Sequence, residues 1–109
     1  MRKNNTLGLI VGYYLARFDQ AALVNLDYPT WTFAYRDIAE KLDVNKNSVN
    51  HWRDEFDPLF GYRAGWHQRP LAPSRQLVAK RFNDFDEPSL RKIVLDILNK
   101  RITDPWILF

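Results

Sequence analysis

The 109-residue sequence predicts a compact, mainly all-α domain of five to six helices. Apolar residues recur at helical spacing along most of the chain, capping or turn-forming residues separate those stretches, and no segment sustains the two-residue alternation of a half-buried strand. The length closes one hydrophobic core and is too short for two, so residues 1–109 are read as a single domain. Aromatic residues make up 15% of the chain. So many either fill that core or leave an aromatic surface for a partner.

The first helix covers residues 6–18, where Leu7, Ile10, Val11, Tyr14, Leu15 and Phe18 form a broad apolar face. Asp19 is placed to cap a short helix over 20–26, which Asp27-Tyr28-Pro29 ends. Thr30 or Thr32 caps a third helix reaching Leu42, with Ile38, Ala39 and Leu42 inward. The fourth runs from Lys46 to Phe56 behind Asn45, an N-cap able to accept from the backbone N–H of Asn47 or Ser48, and its inward stripe is Val49, Trp52 and Phe56. Asp57-Pro58 stops it, because proline disfavours helical geometry in the residue before it.

Residues 59–73 hold two glycines and two prolines without a sustained period. They read as a basic loop, or as a short wing through Tyr62 and Trp66. Ser74 caps a fifth helix through Phe82, with Leu77 and Val78 inward, and the last helix follows Asp86, with Pro88 in its first turn and Leu90, Ile93, Val94, Ile97 and Leu98 as its stripe. At the end, Pro105-Trp106-Ile107-Leu108-Phe109 must dock on the domain itself, meet a partner, or lead into more protein.

Residues 35–54 stand out as two short helices joined by a tight turn, the pattern of a helix-turn-helix. Ala39 is small where the helices cross, and Val44 plugs the gap beside the turn. The position often held by glycine is Asp43, which tolerates left-handed backbone better than most residues. Asn45, Lys46, Asn47, Asn50, His51 and Arg53 are the candidate base contacts: asparagine pairs bidentately with adenine and lysine donates to guanine in the major groove. A plain αα-hairpin with a solvated polar face fits the same pattern, so the surrounding charge must separate the two.

The net charge of +3 is too small to point to nucleic acid, but its distribution is uneven. From Pro58 to Asn83 there is no Asp or Glu, while Arg63, His67, Arg69, Arg75, Lys80 and Arg81 fall inside that span. Phosphate contacts need such cations, and Arg63, His67, Arg69, Arg75 and Lys80 are assigned to them. Tyr62 and Trp66 either anchor the loop to the core or stack on an opened strand.

Several function classes are excluded or disfavoured. Without cysteine there are no disulfides or thiolate metal sites, and two histidines alone do not build a zinc site. Asp57-Pro58 reverses the order of a nuclease Pro-Asp motif, Glu40-Lys41 lacks the residue that an Asp/Glu-x-Lys motif places between, and no glycine-rich phosphate loop exists. His51 and His67 are read as solvated or DNA-facing side chains, because no second constellation supports chemistry. The apolar run after residue 6 is broken by Tyr13, Tyr14 and Arg17, too short and polar to span a bilayer. The expectation is a soluble, cytoplasmic protein that binds no cofactor or metal and is not itself an enzyme.

The run Trp52-Arg53-Asp54-Glu55-Phe56-Asp57-Pro58, followed by Gly65-Trp66-His67-Gln68-Arg69-Pro70-Leu71 and Pro73-Ser74-Arg75, resembles the N-terminal region of some prokaryotic restriction-type and HNH-type endonucleases, where it precedes the nuclease domain. The resemblance extends from residue 9 to residue 98. It implies a targeting module, with cleavage done elsewhere, and places Arg53, Arg63, Trp66, His67, Arg69 and Arg75 at its characteristic positions. The expected partners are double-stranded DNA and a nuclease domain or subunit, or a second copy through the C-terminal apolar tail. A stand-alone transcription regulator, or a protein-interaction or dimerisation module, is the alternative.

Overall fold

The computed structural model describes residues 3–60 and 71–109. The predicted loop or wing, with Tyr62, Arg63, Trp66, His67 and Arg69, lies outside the described residues. The described chain forms α1 (Lys3–Phe18), α2 (Gln20–Asn25), α3 (Trp31–Leu42), α4 (Lys46–Phe56), a 3-10 turn (Asp57–Leu59), α5 (Pro73–Phe82), α6 (Glu87–Leu98) and a C-terminal 3-10 turn (Pro105–Leu108). No strand occurs among the described residues, and none of their helices is long and apolar enough to cross a membrane.

Helix α1 is the axle of the fold. It packs most extensively on α4 and also touches α2, α3, α5, α6 and both 3-10 turns. Residues 6–16 are buried without a break, so α1 is enclosed all round and has no solvent face over that stretch. One core cluster takes in Ile10 and Tyr14 of α1, Ile38 of α3, Val49 and Phe56 of α4, Phe82 of α5 and Leu90 of α6. At its centre the Tyr13 ring meets Phe56 edge-on, with centroids 5.4 Å apart.

The closeness of α1 and α4 depends on two glycines. A Cβ at Gly8 would collide with the six-membered ring of Trp52, and one at Gly12 would lie 2.7 Å from Trp52 Cβ and 3.2 Å from its carbonyl carbon. Gly8 and Gly12 are one turn apart, so they form a single notch on α1 into which Trp52 is seated.

Most helix ends follow their capping chemistry. Thr30 Oγ1 accepts from the Phe33 N–H (3.1 Å), Asn45 Oδ1 from the Asn47 N–H (2.8 Å), and Asp86 Oδ1 from the Ser89 N–H (2.9 Å). Two predicted caps are corrected. Asp19 (φ 49°) makes no side-chain cap for α2; its carboxylate turns to Arg53 instead. Ser74 lies inside α5, which starts from Ala72 without a side-chain cap; its hydroxyl accepts from Arg75 Nη1 at 2.8 Å.

A third correction concerns Leu77, which is 46% exposed while Val78 and Phe82 are buried. Neighbouring positions are about 100° apart on a helix. The stripe that faces the core through Val78 and Phe82 therefore leaves Leu77 outside. At the C-terminus, Pro105 is buried and Leu108 packs on the core, whereas Trp106, Ile107 and Phe109 stay exposed.

Candidate functional site

Helices α3 and α4 meet at a short, fully bonded turn. Asp43 takes the left-handed conformation (φ 57°, ψ 50°), its N–H donates to the Glu40 carbonyl, and the Val44 N–H donates to the Ala39 carbonyl at 2.9 Å. This double closure is a Schellman ending, with aspartate in the position that glycine usually takes. Val44 packs against the core, and Asn45 then opens α4 through its cap. The direction in which α4 leaves is thus set by backbone hydrogen bonds on both sides of the turn.

Along α4 the two faces differ sharply. Val49, Trp52, Arg53 and Phe56 are buried, while Lys46, Asn47, Asn50 and His51 are exposed. The exposed residues follow i, i+1, i+4, i+5 spacing, which places them on one side of the helix. They lie in its first half, and Asn45 stands beside them at the cap, its oxygen already engaged by the Asn47 N–H. His51 Nε2 lies 3.6 Å from Glu55 Oε1, an ion pair whenever the imidazole is protonated.

Arg53 is corrected from the outward set. Its side chain is 6% exposed, with Nη1 donating to Tyr35 Oη at 2.8 Å, Nη2 bonded to Asp19 Oδ1, and the guanidinium carbon 3.5 Å from the centre of the Trp31 ring. Position 53 follows Val49 by four residues, so it belongs to the inward stripe. A long side chain there can reach the start of α2 and the face of α3 together. Trp31 and Tyr35, one turn apart on α3, form the aromatic seat for the cation. That pair was visible in the sequence; Asp19, 34 residues from Arg53, carried no local signal.

Of the predicted phosphate contacts, Arg75 and Lys80 lie among the described residues. Arg75 is bound bidentately by Glu55, with Nε to Oε2 at 2.9 Å and Nη2 to Oε1 at 3.1 Å. This pair ties the start of α5 to α4, so the charge of Arg75, read as a phosphate contact, is already partnered by protein. Lys80 is exposed on α5, where it borders a cleft with Leu77, Arg81 and Phe109 rather than joining the α4 residues. Arg63, His67 and Arg69 lie outside the described residues.

Other polar groups brace the scaffold. Tyr28 donates to Asp37 Oδ2 at 2.6 Å and Lys41 Nζ reaches the same oxygen at 2.7 Å. Burial alone would raise the Asp37 carboxyl, but the hydrogen bonds from Lys41 and Tyr28 outweigh it and hold the group below its usual range. Tyr14 donates to Glu87 Oε2 at 2.7 Å. Burial, reinforced by the neighbouring carboxylates, pushes the phenols of Tyr14 and Tyr28 up. Among the described residues no three His, Asp or Glu converge to hold a metal ion.

Comparison of this chain with protein-family models, with curated proteins and with solved structures finds no match. The α4 surface has therefore to be read from its own chemistry. In the run Trp52 to Pro58, Trp52, Arg53, Phe56 and Asp57 are buried. Trp52 and Phe56 pack on α1, and Arg53 on α3.

Proposed function

We propose that this chain is a duplex-DNA-binding module of the helix-turn-helix type, with α3 as its first helix and α4 as the helix that enters the major groove. One observation carries the reading: the first half of α4 presents Lys46, Asn47, Asn50 and His51 on one exposed side, opposite a face locked into the core. Recognition helices of this kind read base edges with their N-terminal residues. Asn47 and Asn50 offer the paired donor and acceptor that match adenine, and Lys46 offers a donor to guanine or a cation for a phosphate. The partial positive charge of the α4 N-terminus adds attraction for the backbone. In keeping with the resemblance described above, the module positions a nuclease domain or subunit on its target, and the chemistry is supplied by that partner.

The test is an electrophoretic titration of the full chain against a random duplex pool and its single strands at two salt concentrations, followed by sequencing of the retained duplexes. Lys46→Ala is expected to weaken duplex binding, with a salt slope reduced by about 1 where its contact is to phosphate and with changed retained sequences where it is to guanine. Asn47→Ala or Asn50→Ala is expected to change which sequences are retained. Absence of duplex binding, or binding that none of these changes alters, would reject the assignment.

A further inference from the structure

The C-terminal turn is built so that its largest side chains remain outside. Pro105 is buried, Leu108 is packed on the core, Asp104 Oδ1 accepts from the Trp106 N–H, and Arg81 Nε donates to the Leu108 carbonyl at 2.6 Å. Held in this way, Trp106, Ile107 and Phe109 remain 52%, 69% and 39% exposed. The Phe109 ring lies 5.8 Å from the Trp106 ring on one side and 5.8 Å from the buried Phe82 ring on the other. Leu77 of α5, 46% exposed, faces Phe109 across an open cleft of about 420 Å³ whose other walls are Lys80 and Arg81. A flexible apolar tail can turn its rings inward; this one is pinned with them outward.

We propose that the cleft between α5 and the C-terminal turn, lined by Leu77, Phe109, Lys80 and Arg81 and extended beside Phe109 by the exposed Trp106 ring, docks an acidic amphipathic helix of a partner protein. The proposal uses none of the α4 residues on which the DNA-binding reading rests, and it gives Lys80 a carboxylate partner in place of a phosphate. Its apolar floor suits side chains spaced one turn apart on a helix, the commonest way a short segment fills an apolar groove. A pinned tryptophan beside phenylalanine is the kind of anchor that carries most of the energy in such contacts. The charge decides the partner. The side chains that line it include two cations and no acidic group, so acids along the margins of the incoming helix are matched and a basic helix is disfavoured. A second copy of this chain fits poorly: two-fold pairing through the cleft sets Lys80 and Arg81 against their own counterparts. Nucleic acid is the other anionic occupant; its stacked bases need open ring faces, whereas the Phe109 ring is met edge-on by Phe82 and tilted against Trp106.

The experiment uses the full chain and two fluorescein-labelled helical peptides, each with leucines at alternating third and fourth positions. The remaining positions are glutamate in one peptide and lysine in the other. Fluorescence anisotropy is expected to show the acidic peptide binding at least about tenfold tighter than the basic one. Trp106→Ala or Leu77→Ala should weaken it by about tenfold or more, and Lys80→Glu should shift the preference towards the basic peptide. All three side chains are exposed, so circular dichroism melts of the variants should match the parent and separate lost binding from lost folding. Equal affinity for the two peptides, no saturable binding, or full binding by Trp106→Ala would overturn the proposal. So would sedimentation of the parent as a dimer that Trp106→Ala dissociates without any acidic-peptide binding, or oligonucleotide binding that the same change removes.

Discussion

Gly8→Ala gives the sharpest test of how α4 is held. On an open helix face this change stabilises by about 1 kcal/mol, because alanine is the better helix former. At Gly8 the new methyl carbon falls against the indole of Trp52, with Cε3 at 2.8 Å, where carbon atoms at rest keep about 3.5–4.0 Å. The ring cannot retreat: Trp52 is 6% exposed, and its Cβ and carbonyl carbon are already fixed against Gly12. Overpacking of this kind costs about 1–3 kcal/mol or more. Taking about 3 kcal/mol, because the ring has no room to move, and subtracting about 1 kcal/mol of helix preference, the expected net effect is a loss of about 2 kcal/mol, and a melting temperature lower by about 10 °C for a chain of this size. Circular dichroism melts and urea titrations measure both. Trp52→Phe supplies the control, since its smaller ring withdraws the obstacle. The double variant should be less destabilised than the sum of the single changes by about 1–2 kcal/mol. A stabilising Gly8→Ala, or a strictly additive cycle, would refute the notch as the reason for the glycines.

Other perturbations test separate parts of the fold. Arg53→Ala removes one partner of a largely buried ion pair together with its aromatic stack. Its expected cost is about 3 kcal/mol, the lower end for such pairs because Asp19 is about one-third exposed; Arg53→Lys should not restore stability, since an ammonium reproduces neither the fork nor the stack. At a temperature where Arg53→Lys remains folded, duplex binding should equal that of the parent, and a changed sequence preference would contradict its inward placement. Asn45→Ala should lower stability by about 1 kcal/mol in urea unfolding, with Asn45→Asp close to the parent. For pH, the Asp37 carboxyl is held below its usual value, so its contribution is present above the ordinary carboxyl range and fades as pH falls below about 4; melts from neutral to acidic pH should show a shallower loss in Asp37→Asn. The phenols of Tyr13, Tyr14 and Tyr28 are raised. Their contribution is present below about pH 10 and is lost as pH rises through the folded values, which phenolate absorbance followed alongside the far-ultraviolet signal will detect.

What the sequence made legible was local. The order of the helices followed from caps and periodicity, and the α3–α4 turn was readable down to its left-handed Asp43 and its Asn45 cap, because each involves groups within a few residues of one another. The errors arose where distant residues decide. Arg53 shares the inward side with Val49, four residues before it, but the groups that make a buried cation tolerable there, Asp19 and the α3 rings, are distant in the chain. The span from 58 to 83 is acid-free along the chain but not in space, since Glu55 lies just outside it and claims Arg75. Leu77 and Val78 are equally apolar neighbours, and the choice between them depended on the relation of Val78 to Phe82, one turn on. Gly8 and Gly12 offered a signal that periodicity alone passes over: two small residues one turn apart in an otherwise bulky helix.

The seat of Trp52 in the glycine notch also has a thermodynamic consequence. A surface element that is loose before contact must lose conformational entropy on contact, and that cost is subtracted from every favourable interaction it makes. Here α4 is fastened to α1 by an interlocked ring and to α3 by a cation stacked on Trp31 and bonded to Tyr35, so little ordering of its backbone remains to be done. Association through its polar side should therefore show a heat-capacity change matched to the area covered, without the larger excess that accompanies coupled folding. Discrimination between ligands would then rest on how well their groups fit positions that already exist.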